Sequence, residues 1–323
     1  MNCTMRDNFW NQIYELAQMD SSIVIVSADF GAPSLDKFRR DYPKQYINVG
    51  ISEQNAILVA TGLALVGKKP IVYAISQFIT LRCFEQIRIY PCGMNLPITI
   101  VGVGAGVSYW ESGPTHHCME QISVMRTLPH LKMINCSDLV MAKYVAEYVV
   151  KSQRPIYIQL DRECVDEIDE NVIDFNKGYR WIGRYNKNLV IATGIMVKEI
   201  IEIKKEYNFN FSVIDIFSLP VEKELFVNEI KGVDSIITVE ENVKEGGIGS
   251  YILELLSDFG ILVSLSRVAL KIDKGYAPSY TYGSRENIRE AYGIGKKEII
   301  NTIKNKFYKT KGGQENDKYT INE

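Results

Sequence analysis

Predominantly apolar runs at residues 23–26, 70–74, 98–103 and 155–160 constrain the fold most, because a strand apolar at nearly every position must be covered on both faces. Between them lie stretches of helical period at 6–19 (Phe9, Ile13, Leu16, Ala17), 78–90, 119–127 and 139–151, with a further short strand at 131–134. Strands that alternate with helices pair in parallel and bury both sheet faces under those helices. Residues 1–165 are therefore expected to form an α/β domain, doubly wound about a parallel sheet.

The alternation resumes after an acidic stretch, Asp166, Glu167, Asp169 and Glu170, followed by Asn176, Lys177 and Gly178, which reads as a linker over 166–187. Strands at 189–192, 211–214 and 235–239, with helices at 197–207, 249–257 and from Ile288 onward, predict a second doubly wound domain over 188–309, its sheet mostly parallel. The polar tail 310–323 is expected to be disordered. A chain of 323 residues, 46 % hydrophobic, has apolar surface for two such cores. Its formal net charge of −2 gives no electrostatic case for nucleic acid or a membrane surface. No apolar run reaches the roughly 18 residues of a membrane span, and no hydrophobic leader follows Asn2, Cys3 and Thr4, so a cytoplasmic location is expected. Six cysteines without a C-x-x-C pair read as reduced thiols rather than a disulfide framework or a zinc site, and no metal-ligating residue is expected.

Two places carry candidate chemistry. Glu53 stands in the first turn of a helix that is otherwise nearly all apolar (Ala56, Ile57, Leu58, Val59, Ala60). Burial there favours the neutral acid, whereas the helix N-terminus favours the carboxylate. Glu53 is thus either a plain complement to the helix dipole or a carboxyl able to hold a proton near neutral pH. In the second place, His116 and His117 adjoin Cys118 in a loop after a strand. Adjacent side chains diverge and no third ligand has zinc spacing, so His116 reads as a substrate-facing acid, base or hydrogen-bond donor, or as a cap for the next helix. Upstream, Gly102, Gly104 and Gly106 imitate a dinucleotide fingerprint, but Trp110, Gly113 and Pro114 follow where a helix must open. The small residues there suit close approach of another surface instead.

The motifs NVGISEQN (48–55), FEQIR (84–88), GPTH (113–116), the helix at 120–126 with Pro129, VEEN (239–242), GGIGS (246–250) and YGSRE (282–286) occur in that order. Together they resemble the C-terminal half of a transketolase, the pyrimidine-binding domain followed by the transketolase C-terminal domain, over roughly residues 5–305. The resemblance implies a thiamine diphosphate enzyme that moves a two-carbon ketol unit from a ketose, expected to be a phosphate, to an aldose. Glu53 would bond N1′ of the aminopyrimidine, and the cofactor would serve as the electron sink. Phe78 and Phe84 would wall the pyrimidine, with Asp29 on the cofactor side. Arg6, Ser34 and Arg162 match phosphate-binding positions, and His116 matches the histidine beside the reacting carbon. Gly104 stands where transketolases carry another phosphate-contacting histidine, and Ser112 replaces the aspartate that reads hydroxyl configuration, so the sugar is expected to differ from ordinary pentose phosphates. The GDG and asparagine pair that hold magnesium and the diphosphate in that family do not occur, which implies a partner chain carrying the diphosphate domain, in an α2β2 complex. The second domain shows no chemistry-bearing motif and is expected to serve assembly. A deoxyxylulose phosphate synthase-like or 2-oxoacid dehydrogenase beta-like thiamine enzyme, or a non-catalytic scaffold paralogue, are the alternatives.

Overall fold

A computed structural model of the chain describes residues 4–168 and 173–308, with the side chain of Ser34 outside the described set. Its first half carries strands β1 (Ile23–Ser27), β2 (Tyr46–Asn48), β3 (Lys69–Ile75), β4 (Thr99–Val103), β5 (Lys132–Asn135) and β6 (Ile156–Leu160). Helices alternate with them, among them α1 (Met5–Met19), α2 (Pro33–Asp41), α3 (Glu53–Leu65) and α4 (Ser76–Thr80). The second half contributes β7 (Tyr179–Ile182), β8 (Asn188–Ala192), β9 (Ser212–Ile216), β10 (Ser218–Leu219), β11 (Ser235–Val243) and β12 (Ser264–Leu270).

One sheet runs β10-β5-β6-β4-β3-β1-β2 and the other β12-β11-β8-β9-β7. Pairing is parallel apart from two edges, where β10 runs antiparallel to β5 and β7 to β9. This is the α/β architecture the apolar runs require: β1, β4 and β6 are buried along their whole length. Trp10 of α1 meets Tyr73 of β3 edge to face at 4.8 Å, and each such fully buried aromatic contributes on the order of 2–3 kcal/mol. β10 comes from the second half yet closes the first sheet, with Asn135 N donating to Phe217 O at 2.8 Å. The two sheets are therefore stitched together by the chain itself.

Three local expectations differ from what is observed. The stretch 166–187 carries β7, whose Arg180 is buried and donates to Asp138 at 2.6 Å and Asp215 at 3.1 Å. Asp169, Glu170 and the tail 310–323 lie outside the described residues. The single helix expected over 78–90 is broken: α4 ends at Thr80 and a one-turn helix, Phe84–Ile87, follows a turn. Thr80 Oγ1 donates back to Ser76 O at 2.6 Å, a contact that bends helices. The helix expected over 119–127 shrinks to Gln121–Met125, because Met119 O accepts from Val243 N at 2.9 Å instead.

Helix α3 is apolar on every side. Ala56, Ile57 and Ala60 pack inward, while Leu58, Leu65 and Val66 stay exposed on the outer face, with Ile51 before the helix 81 % exposed. Among the described residues no helix is long and apolar enough to cross a membrane.

Candidate active site

The approach to Glu53 is built by short polar bonds. Asn48 Nδ2 donates to Asp29 Oδ1 at 3.1 Å, and Asn48 Oδ1 accepts from Gly50 N at 2.9 Å. Gly50, at φ 73°, turns the chain into α3 in a backbone region that glycine enters freely. Glu53 is the first residue of that helix and is only 4 % exposed. A carboxylate buried that far needs a partner, and Arg82 supplies it, Nη1 donating to Glu53 Oε2 at 2.8 Å. The break after α4 makes this reach possible, and Gln54 Nε2 holds the turn by donating to Arg82 O at 3.1 Å. Asp29, at the exposed end of β1 in a left-handed conformation (φ 53°), is one bond away from the turn that delivers Glu53.

From Arg82 a line of side chains leads across the mouth of the first sheet. Its guanidinium lies over the Phe78 ring, 4.3 Å from the centroid. Phe78 meets His116 edge to face at 5.1 Å, His116 meets Tyr109 at 5.8 Å, and Arg162 covers the Tyr109 ring at 4.3 Å. Glu53, Phe78, His116 and Arg162, spread over more than a hundred residues of sequence, thus share one strip. Phe84 does not join it; it packs half-buried against the apolar cluster beneath α3.

The strip has defined protonation chemistry. Burial pushes the His116 imidazole below its ordinary range, so it stays neutral near pH 7, with Thr115 Oγ1 3.0 Å from Nδ1. His117 points the other way, fully buried, with Nδ1 2.8 Å from Ser279 Oγ. Burial lifts the Cys118 thiol to about 12, which keeps it protonated and removes it as a nucleophile. Among the described residues no three His, Cys, Asp or Glu side chains gather where they could hold a metal ion.

At the far end, Arg162 Nη1 donates to Glu111 Oε1 at 2.5 Å and to Ser108 O at 3.2 Å. Arg6, on α1, is paired with Asp7 at 3.3 Å, and its charge, like that of Arg162, acts on Tyr109, whose hydroxyl burial pushes up to about 12. Ser34 lies in α2, its side chain outside the described residues. Gly104 has φ 92°, and a Cβ there would overlap the Tyr109 ring. Ser112 is exposed, and its amide donates to Tyr109 O at 2.9 Å. Sequence reasoning missed Arg82, Tyr109 and Glu111. For Tyr109 a signal was present: a glycine followed by an aromatic five residues on marks a place where a ring can lie against bare backbone.

The family described as transketolase, pyrimidine binding domain, matches residues 2–166, and transketolase, C-terminal domain, matches residues 184–299. The chain is 29 % identical over 283 residues to one of the subunits of the apulose-4-phosphate transketolase of Actinobacillus succinogenes, spanning 86 % of this chain and 90 % of the other. It is 28 % identical over 302 residues to a 6-deoxy-6-sulfo-D-fructose transketolase subunit, SqwH, of a Clostridium species, covering 92 % of each. Among solved structures, a split-gene transketolase described as an inactive beta4 tetramer superposes with a TM-score of 0.80 at 27 % identity, over 94 % of this chain and 98 % of that one. The transketolase of Campylobacter jejuni shares the fold, with a TM-score of 0.75 at 19 % identity over 93 % of this chain and 46 % of that one. The chain belongs to the transketolase family, as a pyrimidine-binding domain followed by a transketolase C-terminal domain.

Proposed function

We propose that this chain is the pyrimidine-domain subunit of a two-chain transketolase, transferring a two-carbon ketol unit from a ketose to an aldose with thiamine diphosphate, in the cytoplasm. The observation that carries the reading is the strip itself: a buried carboxylate at a helix start, an aromatic face beside it, and a neutral histidine 5.1 Å from that face. Thiamine diphosphate fits this half-site through its aminopyrimidine, which needs an acid at one ring nitrogen and an apolar face to lie on. When bound, it supplies the electron sink for breaking a carbon–carbon bond next to a carbonyl.

This chain's own residues do the rest. Glu53 would face the ring nitrogen through its Oε2, the atom that Arg82 now occupies, and take part in proton exchange there. Phe78 would offer the apolar face for the ring to lie on. His116, neutral, donates or accepts a hydrogen bond at the substrate hydroxyl or carbonyl oxygen nearest the reacting carbon. Arg6 and Arg162 attract the far, phosphorylated end of the ketose, Arg162 by exchanging Glu111 for the ligand. Gly104 and Ser112, with Tyr109 filling the adjoining space, favour a sugar other than the common pentose phosphates.

Magnesium and the diphosphate are assigned to a partner chain, because the GDG motif does not occur in this sequence. The uncovered apolar face of α3, with Leu58, Leu65 and Val66 beside Ile89 and Met94, suits that partner and an α2β2 assembly. Two relatives described as single transketolase subunits support the division of labour. The test is reconstitution with a chain carrying the diphosphate domain, followed by assays of glycolaldehyde transfer and of pyruvate decarboxylation. Transfer from a ketose by the complex is expected, at well below normal transketolase rates on xylulose 5-phosphate. Decarboxylation instead would favour the synthase or dehydrogenase reading, and inactivity of every reconstituted complex would favour a scaffold.

A further inference from the structure

Two segments of the first half carry four of the candidate substrate residues: the loop from Gly104 to His116, with Gly104, Ser112 and His116, and the stretch around Arg162. Both are bonded to one buried ion cluster in the second half. Glu241, on β11, accepts from Val107 N at 2.8 Å through Oε1, inside the loop. Arg285 donates to the same carboxylate at 3.1 Å, and to Asp161 at 2.7 and 2.9 Å, next in sequence to Arg162. It also reaches Glu163 at 2.7 Å, on the other side of Arg162. Arg289 closes the cluster, donating to Glu241 Oε2 at 2.6 Å. Glu241, Asp161, Arg285 and Arg289 are all buried. Burial alone would push the Glu241 carboxyl up, but the two guanidinium groups more than offset this and keep it ionised.

The grip continues along the loop. A Cβ on Gly106 would overlap Glu241, so only glycine lets the loop lie this close to β11. Gly113 sits under Tyr282, whose hydroxyl would be 3.1 Å from an added Cβ. His117 Nδ1 is 2.8 Å from Ser279 Oγ, which in turn is 2.5 Å from Tyr292 OH. Tyr276 OH donates to Glu120 at 2.6 Å. His116 is held between these anchored neighbours.

We propose that the C-terminal domain is the template for the substrate loop, with Glu241 and Arg285 as positioning residues that set His116 and Arg162 relative to each other. A buried ionic cluster suits this better than it suits stability, since such clusters contribute little net energy over apolar packing yet tolerate few geometries. The domain would then contribute to the active site in addition to the assembly role expected of it. The proposal rests on the transketolase reading for the identity of the substrate, but not for the mechanics of the loop.

The test uses the full chain first. Amide hydrogen exchange in peptides spanning 104–118 should rise about 10- to 100-fold in Glu241→Ala, the loss of one charged hydrogen bond. Glu241→Gln, which keeps an oxygen for the Val107 amide, should fall between that variant and the wild type, and peptides from β8 should not change. If Glu241→Ala does not accumulate as folded chain, Ser279→Ala decides through an independent contact, raising exchange around 115–119. In the reconstituted complex, Glu241→Gln should raise KM for the ketose on the order of tenfold while the half-saturating thiamine diphosphate concentration stays put. Exchange that is unchanged in the loop, or that rises equally in β8, overturns the proposal, as does a shift of both kinetic constants together. A wild-type complex without ketol transfer would sink the functional reading alone, because the exchange comparison is independent of it.

Discussion

Arg82 donates to Glu53 at 2.8 Å while its guanidinium lies 4.3 Å over the Phe78 ring. One side chain thus occupies both the acid and the aromatic face that a pyrimidine would use. Removing it should free both. Arg82→Ala is expected to tighten thiamine diphosphate binding by the reconstituted complex up to about fivefold, since the pair is half open to water and worth no more than about 1 kcal/mol. Titration calorimetry reads the change. Weaker binding in the variant would mean that Arg82 helps hold the cofactor rather than standing in its place.

Glu111 competes for Arg162 in the same manner at the other end of the strip, at 2.5 Å, with both side chains more than a third exposed. Glu111→Gln should lower KM for a phosphorylated ketose by up to about fivefold and leave an unphosphorylated analogue unaffected. A KM that rises for the phosphorylated sugar would mean that Glu111 orients the arginine for the ligand.

Gly104 and Tyr109 are coupled by space. Gly104→Ala forces a Cβ into the Tyr109 ring at a backbone φ of 92°, and should cost about 2–4 kcal/mol in urea denaturation. Combined with Tyr109→Ala, the loss should be at least about 1 kcal/mol smaller than the sum of the two single changes. Strict additivity would show that the ring does not define the pocket.

Glu240 gives the fold a pH dependence. Burial pushes its carboxyl up to about 7 from 4.5, against the opposing amides of Gly249 and Ile248 and the guanidinium groups of Arg267 and Arg126. The folded chain therefore keeps a proton that the unfolded chain loses earlier. The stability linked to this group is fully present below pH 4.5 and is lost as pH rises through about 7. Glu240→Gln cannot ionise, so its stability should fall less between pH 4.5 and 8, the difference being on the order of 1–3 kcal/mol. Equal slopes for the two proteins would remove Glu240 as the cause.

The parallel strands were legible because β1, β4 and β6 are mostly apolar at successive positions and buried along their whole length, a pattern that a doubly covered sheet explains. β7 was not, because its Tyr-Arg-Trp-Ile run is a short antiparallel edge whose arginine is buried only through Asp138 and Asp215, partners far away in sequence. Glu53 stood out as the one carboxylate heading an apolar helical run, and His116 as one of two adjacent histidines in a loop after a strand. Arg82 did not, since its contact depends on the helix break after Thr80, which propensity alone does not announce. The link from Arg285 to Asp161 spans 124 residues between groups that look like surface charges until the two sheets are brought together.

On the proposed reading, Glu53 completes a cofactor site whose diphosphate end belongs to another chain. Calorimetric titration of thiamine diphosphate and magnesium into the lone chain, the reconstituted complex and the complex carrying Glu53→Gln tests it most directly. Saturable binding by the wild-type complex alone is expected, with ketol transfer lowered about 10²- to 10⁴-fold by Glu53→Gln, the range for loss of a positioned proton-transfer group. Tight binding and turnover by the lone chain, or full activity in the Glu53→Gln complex, would contradict it.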